Sequence, residues 1–246
     1  MDLVAYTGLG APWIAVVSLI IVAAAIVQLG LGMGFGLTAA PLLALIDPEL
    51  VPAPTLILGM LSSGWGAFGE RHAIAWDEVA TGAIGRMAGV AAAIGVISVL
   101  TDERGFTIAF GLMVGLAVAM SIVGRRIPFN RPNLIGMSAV SGLMATITSV
   151  GAPPLALIYQ DRPAAEARPT LAAFFAVGCL LALAGLWMGD HAGLRDVALA
   201  ALMLPPMLAG IAIARRLRGR FDRRYRPALL AVAGVAAVLL VLRGIA

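Results

Sequence analysis

Four glycines, Gly30, Gly32, Gly34 and Gly36, fall within seven residues of an otherwise apolar run and are followed by Thr38, Ala39 and Pro41. A second run ends in the same chemistry, with Thr146, Thr148, Ser149, Gly151 and Pro153. Glycine lets a chain turn back and lets backbone approach a ligand closely. Proline suits the first turn of a helix, where its missing N–H costs nothing, and a Ser or Thr just before that turn can cap it. The combination reads as a helix that breaks and restarts. A restarted helix offers free amides and the positive end of its dipole, which together attract a small anion. Pro41 and Pro153 are expected to start the return half-helices, with Thr38, Thr148 and Ser149 near the caps and Gly34, Gly36, Ala39 and Gly151 at the tips. The competing reading is that Gly30-x3-Gly34 and Gly32-x3-Gly36 only let helices pack closely.

Arg86 stands near the middle of the apolar stretch DEVATGAIGRMAGVAAAIG. A charge at that depth is expensive and marks a ligand path or a paired partner. A fixed guanidinium would counter an anion and grip two of its oxygens at once. The alternative is an arginine that snorkels to the membrane surface or pairs with Glu70, Asp77 or Glu78.

These residues need elements to hold them, and composition says which. The chain has 246 residues, 61% of them hydrophobic and 12% charged, with a mean hydropathy of +0.99. Soluble domains carry about 45 to 50% apolar residues. The apolar runs are long enough to cross a hydrocarbon core of roughly 30 Å, which takes about 20 helical residues. They are apolar on every face, which excludes the alternation of a β-barrel. An all-α polytopic membrane protein follows. The first run, Trp13 to Val27, follows residues that include Asp2 and no Lys or Arg, and apolar sequence continues well beyond it, so it reads as retained structure rather than a secretory signal.

Eight apolar stretches emerge, at about 12–46, 53–69, 79–100, 106–124, 134–159, 170–189, 197–214 and 228–242. The first is too long for one upright span, and it shares its Gly/Pro break with the fifth. APLLALI at Ala40 recurs as APPLALI at Ala152, PTL at Pro54 recurs at Pro169, and DEVATGAIGRMAG at Asp77 aligns loosely with the segment from Arg195. The offset drifts only from 112 to 118 residues. The chain therefore reads as two related halves, 1–127 and 128–246, each a broken-helix hairpin (12–46 and 134–159) followed by three transmembrane helices.

Arginine sets the orientation, because loops on the cytoplasmic side are enriched in it. If all eight stretches crossed once, the arginine-rich loops at Gly124 and Arg215 would lie on opposite sides. If each hairpin returns to its side of entry, thirteen of the seventeen basic residues fall on one side. Arg104, Arg195 and Arg243 fall on the other, and Arg86 lies within the membrane. The two halves are then inverted relative to each other, as in many secondary transporters, and the hairpin tips meet near the midplane.

Other residues are less informative. Gln28, Ser62 and Ser63 either line the path or bond between helices, and Trp65 and Trp76 read as packing or interfacial anchors. His72 and His191 fall on opposite sides, too far apart for a metal pair. Cys179 is single, so no disulfide or cysteine metal site is expected. No cofactor is expected. The basic pI of about 10.2 comes from short loops without a nucleic-acid motif. There is no nucleophile elbow, no His-Glu-x-x-His and no phosphate loop, so an enzyme is not expected.

The run GLGMGFGLTAAPLLAL, its half-length echo SVGAPPLAL and the duplicated organisation resemble the sulfite exporter TauE/SafE family of anion permeases, over nearly the whole chain. The resemblance implies transport of sulfur-containing anions such as sulfite or organosulfonates. The expectation is a multi-pass secondary transporter of the bacterial inner membrane, with protons a candidate coupling ion. The expected contacts are Gly34, Gly36, Thr38, Ala39, Pro41, Arg86, Thr148, Ser149, Gly151 and Pro153. An anion channel, a transporter of a non-sulfur organic anion and a non-transporting assembly factor stand as alternatives. The second copy, TSVGAPPLA, has fewer glycines than the family pattern, so the two tips need not contact substrate equally.

Overall fold

A computed structural model describes residues 10–100, 102–124, 126–216 and 226–245. Arg125 and the arginines within 217–225, which entered the loop count above, lie outside the described residues. The helices are α1 (Ala11–Leu31), α2 (Phe35–Ile46), α3 (Ala53–Gly69), α4 (Trp76–Val99), α5 (Glu103–Val123), α6 (Arg131–Thr148), α7 (Ala152–Tyr159), α8 (Ala164–Met188), α9 (Leu194–Arg216) and α10 (Arg226–Ile245). No strand occurs among the described residues. Six helical segments, Ala11–Leu31, Pro48–Gly69, Trp76–Val99, Arg104–Val123, Ala164–Met188 and Leu194–Arg216, are long and apolar enough to cross a membrane. The chain is an all-α polytopic membrane protein.

Local chemistry sets the helix ends. Asp102 accepts from the Gly105 amide (2.9 Å) and caps α5, and Asn130 accepts from the Asn133 amide (2.8 Å) and caps α6. Helix α8 starts at Ala164, before the apolar run read from residue 170, because its first turns are polar but still helical and carry Pro169 inside. Both broken runs do break. Helix α1 stops at Gly32 (φ 74°), and α2 starts from Gly34 (φ 109°), left-handed positions that glycine occupies without strain. Helix α6 stops at Ser149, whose φ of 63° is unusual for a residue with a Cβ.

The arms are unequal. At 1.5 Å per residue, the 21 residues of α1 extend about 31 Å, whereas the 12 of α2 and the 8 of α7 reach only about 18 and 12 Å. The first arm of the first hairpin is thus a full-length helix rather than a half-helix.

The helices pair in related sets. Helix α4 packs on α6 and α1 on α9; α4 packs on α8 and α3 on α9; α2 packs on α10 and α7 on α5; α3 packs on α8 and α5 on α10. Glycines permit the closest of these approaches. A Cβ on Gly85 or Gly89 of α4 would overlap the carbonyl oxygens of Ile135 and Ala139 of α6, and one on Gly210 of α9 would lie 2.6 Å from the Val22 carbonyl oxygen of α1.

Charged contacts gather at two ends of the bundle. At the first, Glu70 pairs with Arg168, Glu78 takes Arg162 (2.8 Å) and the Tyr159 hydroxyl (2.8 Å), and Arg126 approaches Asp161 (3.7 Å). At the second, Glu49 pairs with Arg195, Ser98 meets His191 (3.5 Å), and Arg243 donates to the Leu45 carbonyl (3.3 Å). The break at Gly32 lies toward the first end, against Arg168. The break at Ser149 lies toward the second, where its hydroxyl donates to the Pro52 carbonyl (2.9 Å).

Candidate anion site

The two breaks meet. Gly36 lies flat against the backbone of Ser149, where a Cβ would sit 2.7 Å from the carbonyl carbon and closer still to its oxygen. Around this contact is a cavity of about 30 Å³, lined by Gly34, Phe35, Gly36 and Leu37 of the first break, Ser149 and Gly151 of the second, and Thr55, Gly59 and Ser63 of α3, with Gln28, Phe175 and Cys179 among the rest. Of the residues expected at the site, Gly34, Gly36, Ser149 and Gly151 come together here.

The remaining expected residues sit one layer away, and the capping scheme needs correction. Helix α2 begins at Phe35, six residues before Pro41, so Pro41 lies inside the helix instead of starting it. There it removes the donor for the Leu37 carbonyl, a change costing about 3 kcal/mol in an ordinary helix. Thr38 does not cap; its hydroxyl donates back to the Gly34 carbonyl (2.9 Å), and Ala39 is fully buried beside it. Thr148 donates to the Met144 carbonyl (2.7 Å) and accepts from the Val150 amide (3.1 Å), so it stabilises the break without facing the cavity. Pro153 does occupy the first turn of α7, together with Pro154.

This corrects the donors. The amides from Thr38 onward are used within α2, beginning with Thr38 to Gly34 (3.0 Å). The first-turn amides of Gly36 and Leu37, two residues that line the cavity, have no acceptor inside the helix. At the second break Pro153 and Pro154 have no N–H, which leaves the amides of Gly151 and Ala152, two residues that also line the cavity, without an acceptor inside the helix. Both tips thus bring amides without an in-helix acceptor to the cavity, while the Gly151 carbonyl is already taken by Ser141.

Gln28, expected either to line the path or to bond between helices, holds the first break together and bonds to α3. Its Oε1 accepts from the Phe35 amide (3.1 Å), and its Nε2 donates to the Gly32 carbonyl (3.0 Å) and to Ser63 Oγ (2.9 Å). Ser63 thereby keeps its own proton to donate. The signal was present: a glutamine in an apolar run, one turn before the first glycine break, needs partners for both amide atoms.

Arg86 is fully buried and lies behind the second break. Its Nη1 donates to Ser141 Oγ (2.7 Å), which donates to the Gly151 carbonyl (2.6 Å). Nε and Nη2 have no partner among the described residues, and neither does the nearby Ser138 hydroxyl. The guanidinium stacks 5.7 Å from the Phe174 ring centre and presses on Gly178, next to cavity-lining Cys179. The alternatives for Arg86 do not hold: it does not reach the surface, and among the described residues its guanidinium bonds Ser141 and none of Glu70, Asp77 or Glu78. An arginine buried without a carboxylate leaves positive potential in a low-dielectric region. Among the described residues no carboxylate lines the cavity. Amide dipoles, a serine proton and a nearby cation all favour a small anion there.

Residues 17–240 match the model of a family described as Sulfite exporter TauE/SafE. No curated protein and no solved structure matches the chain.

Proposed function

The chain belongs to the sulfite exporter TauE/SafE family, and from that premise we propose that it is a secondary transporter that holds sulfite or a small organosulfonate between its two helix breaks. Membership makes it a membrane transporter of sulfur-containing anions at the level of the family. The observation that carries the finer reading is the cavity at the Gly36–Ser149 contact, lined by Gly36, Leu37 and Ser63, whose amides and hydroxyl can donate, with Arg86, which lacks partners at Nε and Nη2, one layer behind. Its roughly 30 Å³ is room for about two waters. The compact sulfite ion fits this conformation better than a longer sulfonate.

The paired sets of helix contacts support two inverted repeats, 1–127 and 128–246, with breaks entering from opposite ends. The arginine-rich first end is placed in the cytoplasm by the positive-inside rule, in a membrane of the bacterial inner type. Protons stay the candidate coupling ion, carried on the anion itself, because among the described residues no carboxylate or histidine lines the cavity. A channel on the same frame is the competing mechanism.

Counterflow in proteoliposomes separates the two. Unlabelled sulfite on the far side should accelerate uptake of labelled sulfite through a transporter. Saturable uptake indifferent to the far side would point to a channel, and absence of uptake would refute sulfite as substrate.

A further inference from the structure

A larger cavity, of about 190 Å³, opens at the first end of the bundle and is lined by Gln28, Gly32, Trp65, Glu70, Arg168 and Arg215 among others. It shares Gln28 with the cavity between the breaks, so that side chain forms a wall common to both. Building on the anion-transport reading, we propose that this vestibule is a second oxyanion-binding site, in which Arg168 exchanges Glu70 for an incoming small oxyanion.

The argument begins with the pair itself. Arg168 Nε donates to Glu70 Oε2 (3.1 Å) and Nη2 donates to Oε1, so the guanidinium fork holds both carboxylate oxygens. A sulfite or sulfonate group presents two oxygens in a similar arrangement and can take the same fork. The two side chains keep 35% and 20% of their surface exposed, so a ligand can reach them and a released Glu70 can be hydrated. Arg215 sits 5.7 Å from the Trp65 ring centre at the same cavity. Among the described lining residues, two arginines against one glutamate leave an excess positive charge that draws in anions.

The geometry also couples the site to the break. Gly32 is wedged against Arg168, and a Cβ there would lie 2.5 Å from the Arg168 carbonyl oxygen and 2.7 Å from its Cγ. A change in the Arg168 side chain is therefore felt at the turn that ends α1. Glu70 acts as a tethered competitor that occupies Arg168 until an anion displaces it.

The alternative is a static brace between α3 and α8, and the two predict opposite signs. The probe is sulfite, titrated against detergent-purified protein in which Trp13, Trp76 and Trp187 are replaced by Phe, so that fluorescence reports Trp65. Glu70→Gln removes the competitor and should tighten the apparent Kd about tenfold, while Arg168→Gln removes the fork and should weaken it about tenfold or more. Weakening by both variants, or no Trp65 response to sulfite at all, overturns the proposal. If the neutral variants fail to fold, Glu70→Asp and Arg168→Lys are read by the same opposition of signs. A Trp65 response abolished by Arg168→Gln, in a protein with no sulfite flux, supports the vestibule site and refutes the transport reading.

Discussion

Gly36→Ala adds a single methyl group at the point where the two breaks touch. That methyl would lie 2.7 Å from the Ser149 carbonyl carbon, whereas ordinary contact begins at 3.4 Å, so the two backbones must part by at least about 0.7 Å. No flexible side chain is available to yield, since Ser149 is fixed by its bond to Pro52 and Gly36 by the first turn of α2. Overpacking of this kind costs typically 1–3 kcal/mol. At about 2–4 °C per kcal/mol for a chain of this size, melting should fall by roughly 2–12 °C. Parting the breaks also moves the Gly36 and Leu37 amides away from the Ser149 side of the cavity, so stabilisation by added sulfite should disappear. Thermal unfolding in detergent, with and without sulfite, reads both effects. Gly64→Ala is the control, because it lies in α3 beside Ser63, where a Cβ meets nothing within 4 Å. Ala in place of Gly in a helix should there be neutral or stabilising by up to about 1 kcal/mol. If Gly36→Ala melts like Gly64→Ala and keeps the sulfite response, the contact between the breaks is not what shapes the site.

Two further outcomes follow from the same geometry. Arg86→Met exchanges a buried guanidinium lacking two of its partners for an apolar chain of similar length; it should leave melting unchanged or raised while weakening sulfite binding at least tenfold, and Arg86→Lys should recover only part of that binding because lysine lacks the planar fork. Sulfite affinity in Arg86→Met equal to the starting protein would remove Arg86 from the site. For topology, single cysteines replacing Arg126 and Arg195 in a Cys179→Ala background should be labelled from opposite sides of the membrane, Arg195→Cys from the periplasm; labelling of both by an impermeant thiol reagent from that side would defeat the orientation.

By itself the sequence determined the solvent, the broken runs and the sign of the ligand. Runs of 20 or so residues apolar on every face admit only membrane helices, and Gly32 and Gly34 carry the backbone freedom that the break uses. Arg86 announced a charge with no place in lipid. The duplicated APLLALI and APPLALI motif pointed to two breaks, but not to where each helix restarts. One copy restarts six residues ahead of its proline, the other within its first turn. That difference is tertiary, since Gln28 reaches seven residues along the chain to take the Phe35 amide and 35 residues to bond Ser63, and so fixes the start of α2. The place of Arg86 was equally invisible. A buried charge must find partners in the low-dielectric interior, but only packing of α4 on α6 decides that they are Ser141 and, through it, the Gly151 carbonyl. Periodicity and composition act along the chain and can be read from it, whereas the cavity exists because residues more than a hundred positions apart, Gly36 and Ser149, are pressed together by the packing of the helices around them.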